Sequence, residues 1–345
     1  MKSLNTLDTN KLRWGILGCA GIAVKSVIPG IQQSQTSTVS AIASRDAGKA
    51  EAVAKQLGIA QAYGSYEELL ADPNIDVVYI PLPNHLHCEW TIRAAEAGKH
   101  VLCEKPIALD AQEAEKMVKA CSDAGVLLAE AFMYRHHPRY DRIKEIIRSG
   151  EIGAIRGIHG AFTFNEAANS ENVRFKRFMG GGSLYDVGCY PISAARYILE
   201  REPEAATVHA IFSSEYDHVD MMAAGILEFS GGVALTFDCG MWAAFRNTLE
   251  ILGTEGIIEV PSGFLSRADS SANFFVQANG VRREEEVTHV NSYSLQTDDF
   301  ANSVWGNQPL RIQPEDAVYN MRVIDACLKS AMERKRIEIF KGATS

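Results

Sequence analysis

Residues 98–106 read GKHVLCEKP. Gly98 ends a helix, His100 to Cys103 forms a short apolar strand, and Lys105 follows the strand's carboxyl end, where a doubly wound sheet keeps its chemistry. Upstream, another strand, Leu12 to Leu17, runs into the glycine-rich turn GILGCAGIA at Gly15 to Ala23. Lys105 is therefore expected to face the nucleotide that this turn holds. A cofactor-dependent enzyme is the leading reading.

Around these two stretches, short apolar runs alternate with helical periods from Leu12 to about Glu130, the signature of parallel βαβ units. Further strands are expected at Val39 to Ser44, Val77 to Ile80 and Val126 to Glu130. The helices between them carry recognisable punctuation. Ser65 with Glu68 and Asp110 with Glu113 make capping boxes, and Gly58, Gly98 and Gly125 stand where helices stop. After Phe132 the rhythm changes. Pro138 to Ser149 and Gly180 to Glu200 read as helices. Then come strands at Ala205 to Phe212, Ala223 to Phe229, Val233 to Gly240, Thr248 to Leu252, Gly256 to Val260 and Phe274 to Ala278. Tight turns at Gly231-Gly232 and Asn279-Gly280 imply antiparallel pairing. A helix from about Pro314 to Lys335 follows.

The 345 residues suit two domains, and 46% apolar with 22% charged residues is ordinary for a globular protein. A net charge of -9 argues against a nucleic-acid partner and leaves a small molecule as the expected one. Seven cysteines without any C-x-x-C suggest neither a disulfide framework nor a thiolate zinc site, and so a reducing compartment. No signal peptide and no membrane-length apolar run is apparent, so a cytoplasmic protein is expected.

Backbone amides that open a helix bind phosphate because they are unpaired donors at the positive end of its dipole. Gly18, Cys19, Ala20, Gly21 and Ile22 occupy that position, with Ala20 where the dinucleotide fingerprint has its second glycine. An acidic residue ending the second strand would grip the ribose of NAD. Here Ser44-Arg45 offers a hydroxyl and a guanidinium suited to a 2′-phosphate, with Lys49 close by, so NADP is expected over NAD. The alternative is that Arg45 stacks on adenine or faces solvent. Lys105, held extended by Pro106, is expected to have its pKa lowered by burial and by a nicotinamide, fitting it to move or orient a hydroxyl proton. Asp186 and Tyr190 share one face of an otherwise apolar helix and suggest a pocket wall. His85-Leu86-His87-Cys88 and His136-His137 bring no acidic ligands with them, and no metal is expected.

Taken in order, GILGCAGIA, Ser44-Arg45, YIPLPNHLH at Tyr79 to His87, GKHVLCEKP, EAFMYRHHP at Glu130 to Pro138 and GGGSLYDVGCYPI from Gly180 resemble the Gfo/Idh/MocA oxidoreductases. The pattern is nearest to the branches of D-xylose 1-dehydrogenase, dihydrodiol dehydrogenase and glucose-fructose oxidoreductase. The resemblance implies an α/β fold: an NAD(P)-binding Rossmann domain with a doubly wound parallel sheet over residues 1–137, its first 11 loose, and a substrate-binding and oligomerisation α/β domain over 138–345. That second domain would be built on a large, mainly antiparallel open sheet, and the protein would be a homodimer or homotetramer. Lys105 and Tyr190 match the catalytic positions, although which is the formal acid/base stays open. Asp186 matches the substrate aspartate, and Arg135 and Arg174 are candidates for contacting substrate. Pro81, Asn84, His87 and Glu104, with Lys105, complete the cofactor set. The implied reaction passes a hydride between nicotinamide and a sugar or cyclic alcohol. The rivals are a 3-ketoreductase of a nucleotide-linked sugar and a catalytically inactive NAD(P)-sensing regulator.

Overall fold

The computed structural model describes residues 11–265 and 271–339, so the expectation of a loose start falls largely outside the described residues. Six strands form the first sheet: β1 (Leu12–Leu17), β2 (Ser37–Ala43), β3 (Gln61–Tyr63), β4 (Val77–Ile80), β5 (His100–Cys103) and β6 (Leu128–Glu130). Their order is β3-β2-β1-β4-β5-β6 and every pairing is parallel. The order reverses between β1 and β4, which opens a crevice at their carboxyl ends. Helices α1 (Ile28–Gln33), α2 (Ala47–Leu57), α3 (Tyr66–Ala71), α4 (His87–Glu96) and α5 (Ala111–Asp123) connect the strands. Both N-caps form, Ser65 accepting from the Glu68 amide and Asp110 from the Glu113 amide, while Glu68 and Glu113 accept in return from the Gly64 and Leu109 amides, one residue before each cap. Because β4 and β5 are buried along their length, from Val77 to Ile80 and Val101 to Cys103, they read as apolar runs without alternation.

Helix α6 (Pro138–Arg148) leads into a nine-stranded sheet. Its strands are β7 (Ile155–Asn165), β8 (Ala205–Phe212), β9 (Asp220–Phe229), β10 (Val233–Gly240), β11 (Trp242–Gly253), β12 (Gly256–Val260), β13 (Phe274–Ala278), β14 (Val281–Glu285) and β15 (Ile337–Glu338). They run in the order β14-β13-β12-β11-β7-β10-β9-β8-β15, antiparallel except where β7 meets β10. Central β7 escaped the sequence reading because glycines interrupt its apolar pattern. One of them is required by packing, since a Cβ on Gly160 would stand 2.6 Å from Cβ of Pro191. Pro191 belongs to α7 (Cys189–Leu199), which with α9 (Glu315–Glu333) covers one face of the sheet. Strand alternation turns Ile211, Ile226 and Leu252 to the opposite face, where they are 47%, 44% and 36% exposed. Helix α8 (Ser292–Val304) crosses back to pack on α1, close enough that a Cβ on Gly30 would clash with Tyr293. Among the described residues no helix is long and apolar enough to cross a membrane.

Candidate active site

A cleft of about 780 Å³ lies between the β1 turn, the end of β5 and the start of α7. Gly18 adopts φ +118°, a region that favours glycine, and the chain then enters a helix at Gly21 whose first backbone bond runs from the Val24 amide to the Ala20 carbonyl, so the amides before it have no intrahelical partner. Gly21 lines the cleft with open space where a Cβ would stand. Uncapped amides beside open space fit a dinucleotide's phosphates.

Lys105 is carried into the cleft by β5. Its Nζ donates to the Asp186 carbonyl at 2.7 Å and to Asp186 Oδ1 at 3.4 Å, and stands 4.9 Å from the centroid of the Tyr190 ring. Arg174 Nε donates to the other carboxylate oxygen of Asp186 at 2.6 Å. Asp186 does not share a regular α-helical face with Tyr190. It sits in a π-helical turn, Leu184–Gly188, and Tyr190 in α7 beyond it, yet both converge on Lys105. The preceding glycines permit this entry. Gly180 has φ +77°, and at Gly182, φ +124°, a Cβ would meet Asp220 Oδ1 at 2.1 Å. Asp220 in turn accepts from Ser183 Oγ and the Leu184 amide, both at 2.7 Å, and fastens the start of the turn.

The charges in this cluster sustain one another. Burial works against the Lys105 ammonium, but the Asp186 carboxylate, with Cys189 and Glu104, holds its pKa above the ordinary value. The burial expected to lower this lysine is outweighed by the Asp186 carboxylate, which holds it as a cation. Burial likewise opposes ionisation of Asp186, and Arg174 and Lys105 overcome it, keeping the pKa below the usual carboxylate range. Burial pushes the Tyr190 phenol well up, with Tyr293, Cys189, Glu104 and Asp186 adding to the effect, so the neutral phenol is strongly favoured. Its ring is held among Phe132 and Phe162 at centroid distances of 5.4 and 5.2 Å. Glu104 accepts from the Tyr79 hydroxyl at 2.5 Å and from the Lys105 amide at 3.2 Å, while Asn84 Nδ2 donates to the Gly180 carbonyl at 2.9 Å and ties the two sides of the cleft.

Of the residues singled out in the sequence, Ala20, Gly21, Ile22, Pro81, Asn84, Glu104, Lys105, Arg174, Asp186 and Tyr190 line the cleft. Gly18, Cys19, Ser44, Arg45 and Lys49 do not line it. Instead Cys19 Sγ lies 4.0 Å from the Lys49 carbonyl and close to Ser44, and Arg45 lies against the Tyr66 hydroxyl, so this group forms one patch beside the turn. Two assignments need correction. Arg135 is buried away from the cleft, bonded to Ser193 Oγ at 2.7 Å and to Asp316 at 2.5 Å, because it packs over Phe132 and Tyr197 against α7 and α9. His87 is fully buried, with Nδ1 3.0 Å from the Pro106 carbonyl and Nε2 2.7 Å from that of Leu82. Burial lowers its pKa to about 4, against the pull of those carbonyls. It braces the loops that carry Pro81 and Lys105 without reaching the cleft. Tyr293 and Ser26 line the cleft unforeseen, Tyr293 being brought there by α8. Asn291, which caps α8 by accepting from the Tyr293 amide, was the available signal for that helix.

Fold and site together define a nucleotide-dependent oxidoreductase. Residues 12–132 match the oxidoreductase family with an NAD-binding Rossmann fold, and residues 140–259 match the GFO/IDH/MocA C-terminal domain. The chain belongs to the Gfo/Idh/MocA family. It is 39% identical to D-xylose 1-dehydrogenase (NADP(+)) 2 of Haloferax volcanii, over 95% of this chain and 100% of that one. It is 31% identical to dTDP-3,4-didehydro-2,6-dideoxy-alpha-D-glucose 3-reductase of Actinomadura kijaniata, over 95% and 98% of the two chains. The solved structure of a 3-ketoreductase from Actinomadura kijaniata with NADP and TDP-benzene superposes with a TM-score of 0.88 at 30% identity, covering 93% of this chain and 98% of that one.

Proposed function

We propose that this protein is an NADP-preferring dehydrogenase or reductase acting on a ring CH–OH group of a sugar or cyclic alcohol. The observation that carries the reading is the convergence of Lys105, Asp186 and Tyr190 at the mouth of the parallel sheet, beside an uncapped glycine turn. The glycine turn with Ile22, together with Pro81, Asn84 and Glu104, would hold the dinucleotide, and Ser44, Arg45 and Lys49 would receive a 2′-phosphate. When bound, the nicotinamide supplies the hydride donor or acceptor. Tyr190 exchanges the proton of the reacting hydroxyl. Lys105 stabilises the negative charge that grows on that phenol, and Asp186, kept ionised by Arg174 and Lys105, orients neighbouring hydroxyls. Residues 1–137 and 138–345 divide the labour as a cofactor domain and a substrate domain.

A second reading, reduction of a 3-keto sugar linked to a nucleotide, is supported by the 31% identity over 95% of this chain to the dTDP-3,4-didehydro-2,6-dideoxy-alpha-D-glucose 3-reductase of Actinomadura kijaniata. One experiment tests both. Change in nicotinamide fluorescence is followed with NADP and then NAD against pentoses, hexoses and cyclic diols, and with NADPH and then NADH against dTDP-linked 3-keto sugars. Turnover of a free sugar or diol supports the first reading, and turnover of the dTDP-sugar alone replaces it with the second. A protein that binds NADP and turns over none of them is a sensor, and the enzymatic reading is then wrong.

A further inference from the structure

Helix α7 starts at the active site with Tyr190 in its first turn and ends, with Ile198 and Leu199, in the wall of a separate surface pocket of about 420 Å³. That pocket lies between the last turns of α6 and α7 and the starts of β7 and β10, and shares no lining residue with the cleft. Four cationic side chains, Lys144, Arg148, Arg156 and Arg201, line it against one carboxylate, Glu200. Such a surplus stands out in a chain whose net charge is -9.

The single carboxylate is already committed. Lys144 Nζ and Arg148 both bond to Glu200 Oε1, at 3.0 and 2.8 Å. The position of Lys144 and Arg148 near the carboxyl end of α6 accounts for them, because cations there offset the helix dipole. The other two arginines have no such explanation. Arg156, the second residue of β7, forms no ion pair among the described residues. Arg201 makes one long bond from a terminal nitrogen to Ser230 Oγ at 3.4 Å, and its other terminal nitrogen forms no hydrogen bond among the described residues. A guanidinium whose terminal N–H groups are not committed to a carboxylate can be engaged by an oxyanion. Gly231, at φ +74°, lets the chain pass the Arg201 guanidinium without a side chain between them.

We infer that this pocket binds a compact dianion, a phosphomonoester, through the forked donors of Arg156 and Arg201, with Lys144 and Arg148 supplying further positive charge. Phosphate suits the site because a guanidinium can present two parallel N–H groups to oxygens of one tetrahedral head, and two arginines line this one pocket. The volume leaves room for a sugar-sized body behind that head. This site is independent of the reaction proposed for the cleft.

Isothermal titration of the full chain, saturated with NADP so that the cofactor's own phosphate sites are filled, uses inorganic phosphate and glucose 6-phosphate as probes. Both are expected to bind with one site per chain, and affinity should fall steeply between 50 and 200 mM salt, by about tenfold or more. Arg201→Ala and Arg156→Ala are each expected to weaken binding by about tenfold or more, with the NADP affinity of either variant unchanged. Arg201→Lys, which keeps the charge and loses the fork, should recover only part of the loss. The proposal is overturned if neither probe binds, if the double variant binds as well as the native chain, or if glucose binds as tightly as glucose 6-phosphate. Citrate binding tighter than both probes would also overturn it, as a carboxylate site. Far-ultraviolet circular dichroism of each variant separates a lost site from a lost fold.

Discussion

Replacing Lys105 with methionine keeps its length and removes its charge. At an effective dielectric of about 20, a unit charge 4.9 Å from the Tyr190 ring stabilises a developing phenolate by about 3 kcal/mol. Because burial already pushes this phenol well up, losing that term should lower turnover by about 10², on the scale of 1.36 kcal/mol per decade. The variant also leaves Asp186 with Arg174 alone, so some substrate misorientation adds to the loss. Tyr190→Phe removes the proton carrier itself and is expected to cost about 10² to 10⁴. The two changes together should cost less than the product of the single effects, since both act on one proton. The assay is steady-state turnover across pH 6 to 10 on the substrate identified by screening, with NADP affinity from fluorescence titration as the control. If the cation supports the phenol, the apparent pKa governing oxidation rises in Lys105→Met. Turnover within about threefold of native, with the pH profile unmoved, would refute the role given to Lys105.

Arg45→Ala should erase most of an NADP preference, which as a charge-assisted contact is worth about 1.5 to 3 kcal/mol; equal titrated affinities of the native chain for NADP and NAD would count against the strand-end argument. Glu130 is held by burial at a pKa of about 8 against an ordinary 4.5, so the fold favours its neutral form. Its contribution is fully present below about pH 4.5 and is lost as pH rises toward 8, amounting to about 3 to 5 kcal/mol, and Glu130→Gln should flatten that part of a urea-unfolding series taken across pH. The exposed apolar face bearing Ile211, Ile226 and Leu252 predicts a dimer or tetramer. Light scattering that reports a monomer at micromolar concentration contradicts this, and Ile226→Glu should dissociate the assembly if it is correct.

Much of this architecture is written locally. β5 is a continuous apolar run because both its faces are covered, and Ser65, Asp110 and the glycines after the helices mark boundaries through bonds that span only a few residues. The candidate site was legible as far as chain position goes, since Lys105 must emerge at a strand end. Its electrostatics were not. The burial expected to lower the lysine is outweighed by Asp186, 81 residues away, and Arg135 was drawn out of the cleft by Asp316, 181 residues away. Tyr293 reaches the cleft through packing of α8 on Gly30, and no spacing near either glycine or tyrosine records that contact. Strand β7 was obscured for a related reason, because Gly160 answers to Pro191 across the sheet and not to its own neighbours.

The π-helical turn Leu184–Gly188 bears on how this chain is to be aligned and edited. Such a turn carries one residue more than the α-helical turn it replaces, and one residue is about 100° of rotation. In evolutionary terms it behaves as a single-codon insertion. Deleting one residue from this turn would yield a more regular helix running into α7, at the expense of turning the Asp186 carboxylate away from both Lys105 and Arg174. A relative with an uninterrupted helix therefore has to be paired with this chain across a one-residue gap. Transferring its pocket residues by simple counting from the glycine triplet would set the wrong side chain opposite the lysine.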